Sequence, residues 1–163
     1  MFSKINNYLK FLYRLSGYIA AMFLILVAIF ILTGIASRIF GFYIRGLAEY
    51  SGYCMAASSF LALAYTFGEK GHIRITLFLE KASKSIRRFL ELWCLTVATF
   101  FSGFLSFYFI KMIIISIKFG ERSEGADEIL IWIPQVSVAL GSTIFFICVL
   151  HNFILLILKK NNN

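Results

Sequence analysis

Long uncharged runs alternate with short charged segments along this chain. The runs cover residues 15–37, 50–68, 92–110 and 129–150. A helix rises about 1.5 Å per residue, so roughly 20 residues cross a hydrocarbon core of about 30 Å, and each run is close to or above that length. We therefore predict an all-α integral membrane protein with four transmembrane helices. The expected spans are about 15–37, 48–68, 91–113 and 131–156.

The composition agrees with a chain that lies in lipid. Hydrophobic residues make up 60% of the 163 residues, and the mean hydropathy is +0.84. Soluble domains carry less apolar material than this. The spans leave only short connections, so residues 1–163 are expected to form a single membrane domain. The first run is interpreted as a retained helix, because its 23 uncharged residues exceed the roughly 7–15 of a cleaved signal peptide.

The Lys and Arg residues are unevenly distributed between the two sides of the membrane. Eleven lie in the N-terminal segment, the middle loop and the tail, whereas five lie in the first and third loops. Short cytoplasmic loops retain the positive excess, so both termini are predicted to be cytoplasmic. The net charge of +8 is then a signal of topology and of contact with a lipid surface, and it does not indicate nucleic-acid binding.

The segment between the second and third spans, residues 73–90, has the periodicity of an amphipathic helix. At 100° per residue its apolar side chains fall on one arc and its basic side chains fall opposite. Such a helix would lie in the cytoplasmic interface and contact anionic phospholipids. The basic residues expected at the headgroups are Lys81, Lys84, Arg87 and Arg88. The alternative is a solvated helix that leads into the third span.

The third connection, residues 119–132, concentrates charges of both signs around two glycines. These charges either dock a periplasmic partner or are simply solvated. Trp132 is expected at headgroup level, as interfacial tryptophans tend to be. Pro134 is the single proline, and it fits the first turn of the last helix, where a missing N–H has no cost.

The second span is rich in small residues, with Gly52, Ala56 and Ser59 along one face and Cys54, Ser58 and Ala62 along a neighbouring one. Small residues at four-residue spacing let helix backbones approach closely in lipid. This helix is therefore expected to pack centrally or against a partner.

Ionisable residues are expected only near the ends of the spans. Glu49 enters the second span and Lys111 leaves the third, both at the outer interface. A carrier of protons, ions or charged substrates would place such groups near the midplane, where they are costly and are retained for a function. The chain is therefore not expected to transport a substrate alone.

Catalytic and cofactor chemistry has no recognisable motif. His72 and His151 both lie near the cytoplasmic interface, and the three cysteines lack a CxxC spacing. The sequence contains no phosphate-binding loop, nucleophile elbow or HExxH segment. We therefore expect no enzyme activity, no cofactor and no metal site in this chain.

The order of several short motifs resembles a known family. Along the chain stand Arg38, then Arg45-Gly46-Leu47-Ala48-Glu49-Tyr50, then Gly71-His72-Ile73-Arg74, the basic amphipathic segment, and finally Ser123, Trp132, Pro134 and Gly141. This succession, together with the length and the four spans, resembles the small membrane subunit (DctQ-like) of tripartite ATP-independent periplasmic (TRAP) transporters. The order and spacing carry the resemblance, because each motif alone is weak.

The resemblance implies a role in a three-part secondary transporter of the bacterial inner membrane. In this family a soluble periplasmic protein delivers an organic acid, such as a C4-dicarboxylate or sialic acid, to a large membrane subunit that couples uptake to sodium. The small subunit is expected to be a scaffold for that large subunit, with sodium coupling located in the partner. The choice of substrate is expected to reside in the other subunits.

The resemblance also implies roles for individual residues. Arg45 and Glu49 would pair at i, i+4 spacing at the periplasmic end of the first two helices, or form a solvated contact without function. His72 and Arg74 would anchor the interfacial helix at lipid headgroups. The residues with an expected structural or partner role are Arg38, Arg45, Gly46, Glu49, Gly52, Ala56, Ser123, Trp132, Pro134 and Gly141.

Two other classes of function stay open. A self-sufficient small exporter working as a homodimer would need a carboxylate within a span. A haem- or quinone-binding redox anchor would need two intramembrane histidines on facing helices. Neither feature is visible in the sequence, so an accessory transporter subunit is the favoured interpretation.

Overall fold

The computed structural model describes residues 2–70, 84–125 and 127–158, and every regular element in them is an α-helix. The helices are α1 (Phe2–Ile39), α2 (Leu47–Lys70), α3 (Lys84–Phe119) and α4 (Trp132–Leu158). The all-α prediction is therefore confirmed for these parts of the chain.

Three of the helices are long and apolar enough to cross a membrane. They are Asn6–Ile39 within α1, Ile86–Phe119 within α3, and Trp132–Leu158, which is α4 itself. The 24 residues of α2 are sufficient by length, but its Ser, Tyr and Gly residues lower its hydropathy, and it is not among the three. Its passage through the membrane, and the cytoplasmic position of both termini, stay predictions.

The helices lie side by side in the order α1, α2, α4, α3. The extensive contacts join α1 to α2, α2 to α4, and α4 to α3, with a smaller contact between α1 and α4. The described helices therefore form a layer with α2 and α4 inside and α1 and α3 at its edges. An inner helix meets neighbours on two sides, which explains why α2 can carry small and polar residues.

The close approach of α2 to its neighbours depends on small residues. Ser58 donates a hydrogen bond of 2.9 Å to the carbonyl of Ala20 on α1. On α4, a Cβ atom added at Gly141 would lie 2.7 Å from the carbonyl carbon of Phe60. Small residues of this kind allow helices to pack tightly in lipid. The central position of α2 agrees with the sequence, although its exact contact face does not.

The face of α2 that packs includes Ser58 of the second expected face, but not Gly52 or Ser59 of the first. Ala57, Ser58, Leu61 and Ala64 are buried, whereas Gly52 and Ser59 are exposed. A Cβ atom at Gly52 would meet nothing within 4 Å. The spacing of small residues thus indicates that α2 packs tightly, but it does not identify the face that does so.

A buried cluster of side chains joins three helices at the end where α1 begins. Tyr13, Ala64 and Cys148 form its core, and the Tyr13 hydroxyl lies 3.5 Å from Nδ1 of His151. Asn152 donates a 2.8 Å hydrogen bond to the carbonyl of Cys148. Cys148 is therefore a packing residue, and His151 lies beside it at this end of the layer.

Helix α3 is longer than the third predicted span and continues to Phe119. Residues 112–117 are uncharged and apolar apart from Ser116, so nothing in them stops the helix, which ends at Gly120 with φ at +61°. Lys111, which we expected where the span leaves the membrane, instead lies two turns before the helix ends and within the apolar stretch Ile86–Phe119. This position is taken up below.

Most of the predicted interfacial helix, including His72, Arg74 and Lys81, lies outside the described residues. Residues 84–90 are described, and they form the first turns of α3 without a break at the predicted boundary near residue 90. Lys84, Arg87 and Arg88 therefore belong to the helix of the third span. Within it, Nε of Arg87 pairs with Glu91 at 3.1 Å.

Candidate functional site

The turn between α1 and α2 and the loop between α3 and α4 lie at the same end of the layer. Successive helices run in opposite directions, so the start of α2 and the start of α4 are neighbours. The α3–α4 loop, residues 120–131, crosses from the edge of the layer to α2 at this end. We refer to the contact between this loop and the start of α2 as the loop clamp.

Two tyrosines of α2 bind the loop in the clamp. The Tyr50 hydroxyl donates a 2.8 Å hydrogen bond to Oδ2 of Asp127. One turn further on, the Tyr53 hydroxyl shares a 2.8 Å hydrogen bond with Oγ of Ser123. Because one of these bonds involves a carboxylate, it is stronger than a bond between neutral groups. The clamp thereby connects residues that are 70 and 77 positions apart in the chain.

Two glycines give the clamp its close fit. The carboxylate of Glu49 lies directly against Gly125, so that a Cβ atom at Gly125 would overlap its oxygens. Gly46, which precedes α2, has φ at +75°, and a Cβ atom there would lie 2.5 Å from Oδ2 of Asp127. A larger residue at Gly46 would be strained by its backbone and would also collide with the loop.

The loop is held in shape by its own hydrogen bonds before it meets α2. The backbone N–H of Ser123 donates to the carbonyl of Ile129 at 2.7 Å, and Arg122 and Leu130 form an isolated antiparallel bridge. Ser116, on the last turns of α3, donates a 2.7 Å bond to Glu121. These bonds place Ser123 and Asp127 on the side of the loop that faces α2.

A cleft of about 330 Å³ lies beside the clamp, between the end of α1 and the start of α2. Arg38 and Glu49 line its polar part, and Phe30, Ile31 and Ile35 line its apolar part. The clamp and the cleft thus share Glu49. This end of the layer combines charged groups with an apolar floor, which fits a position at the interface between water and lipid.

The hypothesised pair of Arg45 and Glu49 does not form along one helix face. Helix α2 begins at Leu47, so Arg45 lies in the preceding turn, where it is exposed. The i, i+4 rule applies only when both residues are helical. Glu49 is directed to Gly125 instead.

The structure brings together part of the set named from the sequence. Arg38, Gly46, Glu49 and Ser123 all belong to the cleft or the clamp. Trp132 and Pro134 form the first turn of α4, as expected, and Gly141 packs on α2. Gly52 is exposed and Ala56 is half-buried, and neither belongs to the clamp or the cleft.

Sequence reasoning missed the residues that complete the clamp. These are Tyr50, Tyr53, Gly125 and Asp127. Two tyrosines three residues apart at the start of a helix were an available signal, because tyrosine hydroxyls at a membrane interface usually find a polar partner. The identity of that partner is a long-range fact that the local pattern does not contain.

The chemistry of the clamp is structural. Its groups are phenol, hydroxyl and carboxylate side chains that bind one another. Within the described residues, no group of three or more His, Cys, Asp or Glu side chains is placed to hold a metal ion. The arrangement can fix the loop and the start of α2 as one body, and it can present the charges of the loop to a partner.

A layer of long apolar helices, joined by short connections and closed at one end by a polar clamp, defines a multi-pass membrane protein whose loops have structural roles. The family model described as "Tripartite ATP-independent periplasmic transporters, DctQ component" matches residues 26–159. The chain therefore belongs to the DctQ family, and the resemblance drawn from the motifs is confirmed. No curated protein and no solved structure matches the chain.

Family membership makes the chain a small membrane component of a TRAP transporter. The matched residues include the last third of α1 and all of α2, α3, α4 and the clamp. The DctQ family is a family of transporter components and not a family of enzymes. The association of such a component with a large membrane subunit and a periplasmic binding protein follows from the family, whereas the substrate and the coupling ion do not.

Proposed function

We propose that this chain is the scaffold for a large, sodium-coupled membrane subunit that takes up an organic acid of the C4-dicarboxylate or sialic acid type. A periplasmic binding protein delivers the acid to that subunit. The observation that supports a scaffold is the arrangement of the helices in a layer. A layer offers a partner one broad side, which a bundle wrapped around its own core does not.

The edges of the layer carry much exposed apolar surface. Among the exposed residues of α1 are Leu24, Ile25 and Leu32, and α3 exposes Phe100, Phe101 and Phe107. In a membrane, such surface is covered either by lipid or by the helices of a partner. The scaffold thus widens the part of the transporter that stays fixed in the bilayer while the large subunit moves its substrate.

The loop clamp supports the same role. It fastens the α3–α4 loop to the start of α2, so this end of the layer behaves as one body. The excess of Lys and Arg on the opposite side favours a periplasmic position for the clamp. The exposed charges of the loop, among them Arg122 and Glu128, would then face the side from which the binding protein approaches.

Reconstitution tests this proposal. Uptake of radiolabelled succinate and sialic acid would be measured in proteoliposomes under an inward sodium gradient. The complete system contains this chain, the large membrane subunit from the same genomic neighbourhood and the soluble binding protein. Uptake is expected only when all three components are present and sodium is supplied.

Each component is then omitted in turn, and potassium replaces sodium as the ionic control. Uptake by the large subunit and the binding protein without this chain would contradict an obligate scaffold. Uptake by this chain alone would contradict the proposal altogether. Uptake that needs all three proteins but responds equally to potassium would contradict only the sodium coupling.

A further inference from the structure

The outward side of α3 carries a continuous row of aromatic residues. Trp93, Phe100, Phe104 and Tyr108 recur at spacings of seven, four and four residues, so they share one face of the helix. Phe100 is 69% exposed, Phe104 53% and Tyr108 49%. We call this surface, together with Lys111, the aromatic face of α3. It lies at the edge of the layer, because α3 makes its extensive contact with α4 alone.

Lys111 lies deep in this face. The Ser106 hydroxyl bonds that of Thr143 on α4 at 2.9 Å, which puts these two residues at the same depth. Helix α3 ends and helix α4 begins at the same end of the layer. Toward that end, Lys111 lies five residues beyond Ser106, whereas Trp132 lies eleven residues beyond Thr143. Lys111 is therefore about six residues, or about 9 Å, further into the layer than Trp132.

The side chain of Lys111 is directed inward rather than toward the nearer helix end. Its Nζ atom lies over the ring of Tyr108, 5.8 Å from the ring centre. Tyr108 precedes Lys111 by one turn, which is the direction in which helical side chains lean. A lysine that reached for lipid headgroups would extend the other way.

A cation at this depth needs a compensating group. The Tyr108 ring offers a weak interaction through its face. Arg87 pairs with Glu91 and Arg122 pairs with Glu128, but no ion pair is found for Lys111 within the described residues. Ionisable residues within a span almost always pair with one another or with polar groups. The group that pairs with Lys111 must therefore come from another molecule.

We infer that the aromatic face of α3 binds a membrane helix of the large subunit that presents a carboxylate to Lys111. This rests on the proposed scaffold function and adds the face, the depth and the charge of the contact. A carboxylate on a helix can lie at the depth of Lys111. The phosphate of a lipid lies at headgroup level. The Lys111 side chain is directed away from that level, toward Tyr108.

Charge reversal tests the inference in the assembled complex. The full chain, with an affinity tag, would be co-expressed with the large subunit and purified in mild detergent. Lys111→Glu is expected to reduce recovery of the large subunit about tenfold or more, because it places like charges together at a buried contact. Lys111→Arg, which keeps the charge, should retain most of the recovery. Lys118→Glu is the matched control, since it reverses a lysine of the same helix face close to the helix end.

A second experiment identifies the group that pairs with Lys111. Single Asp→Lys or Glu→Lys changes within the membrane helices of the large subunit would be combined with Lys111→Glu. One of them should restore recovery, because it exchanges the two charges. Equal recovery for Lys111→Glu and the unchanged chain would overturn the inference. Failure of the unchanged chain to recover the large subunit would overturn the scaffold function itself.

A third measurement avoids any effect of Lys111→Glu on folding. A photoreactive phenylalanine at Phe104, in an otherwise unchanged chain, is expected to form a crosslink to the large subunit on illumination. The same group at Leu24, on the exposed surface of α1, reports on the opposite edge of the layer. Crosslinks from Phe104 to lipid alone would mean that the aromatic face is lipid-covered, and would overturn the inference.

Discussion

At the scale of single residues, the loop clamp depends on positions where only a hydrogen atom fits. Gly125 touches the Glu49 carboxylate, and Gly46 lies beside Asp127. A methyl group at either position has to turn that carboxylate aside or, where the carboxylate is held in place, push the loop away from α2. The hydrogen bonds of Tyr50 and Tyr53 would then lengthen together, because both are made to the same short loop. The fit of the clamp is therefore more sensitive to glycine substitution than to the loss of any one bond.

Gly125→Ala is expected to destabilise the protein by about 1–3 kcal/mol, as overpacking usually does. Gly52→Ala is the matched control, because a Cβ atom there would meet nothing within 4 Å and alanine favours a helix. The readout is the temperature at which half of the detergent-purified protein is lost from its monodisperse peak. An unchanged midpoint for Gly125→Ala would show that the Glu49 carboxylate moves aside at little cost.

Tyr50→Phe removes a single hydrogen bond and leaves the ring in place. The bond is exposed, so the expected loss of stability is about 0.5–1.5 kcal/mol, at the ordinary level for a hydrogen bond. Tyr43→Phe serves for comparison, since Tyr43 is exposed and its hydroxyl has no hydrogen bond among the described residues. Equal midpoints for the two variants in the same thermal assay would contradict the role of the Tyr50 hydroxyl in the clamp.

At the scale of elements, the contact between α2 and α4 is made by backbone approaching backbone. A Cβ atom at Gly141 would lie 2.7 Å from the carbonyl carbon of Phe60 and 2.8 Å from the amide nitrogen of Leu61. Neither atom can swing away as the end of a side chain can. The two helices must separate to admit a methyl group, so this contact sets the spacing of the inner pair.

Gly141→Ala is thus expected to cost about 2–3 kcal/mol, near the upper end of the range for overpacking. Gly34→Ala on α1 should be tolerated, because its Cβ atom would make an ordinary contact of 3.8 Å with Leu47. Both variants can be followed by thermal unfolding in detergent and by recovery of the large subunit. Matching behaviour of the two variants would contradict the close approach of α2 and α4.

The sequence predicted the four helices because hydrophobic length is a local property. It also placed Pro134 correctly in the first turn of α4. The packed face of α2 was missed, since small residues at four-residue spacing occur by chance and burial depends on neighbours far along the chain. The depth of Lys111 was missed for a related reason. A single lysine was interpreted as the end of a span, although residues 112–117 are uncharged, mostly apolar and continue the helix.

At the scale of the whole molecule, the order of the helices was not accessible from the pattern of apolar runs. Four long helices can be arranged as a bundle or as a layer. The choice is made by specific contacts, such as Ser58 with Ala20 and Ser106 with Thr143. The site was predictable in part, because the motifs led to Arg38, Gly46, Glu49 and Ser123. The local pattern does not show that the tyrosines of α2 bind Asp127 and Ser123, because these residues are far apart in the chain.

Disulfide trapping tests the layer. In a chain whose Cys54, Cys94 and Cys148 are replaced by alanine, Ser106→Cys combined with Thr143→Cys should crosslink readily, since the native hydroxyls are 2.9 Å apart. Ser106→Cys combined with Ser16→Cys should not, because α3 and α1 lie at opposite edges. The shift in electrophoretic mobility without reductant reports the bond. Efficient crosslinking of the second pair would indicate a closed bundle.

The loop clamp also has a consequence for biogenesis. Tyr50 and Tyr53 leave the ribosome about 70 residues before Ser123 and Asp127 are made. Until α3 has been inserted and the chain has turned back, the start of α2 has no loop to bind. Closure of the clamp therefore marks the moment at which insertion is nearly complete. In an unfinished or wrongly inserted chain, the side chains of Tyr50, Tyr53 and Glu49 would be exposed without the loop that covers them. Membrane quality-control proteases can recognise this difference.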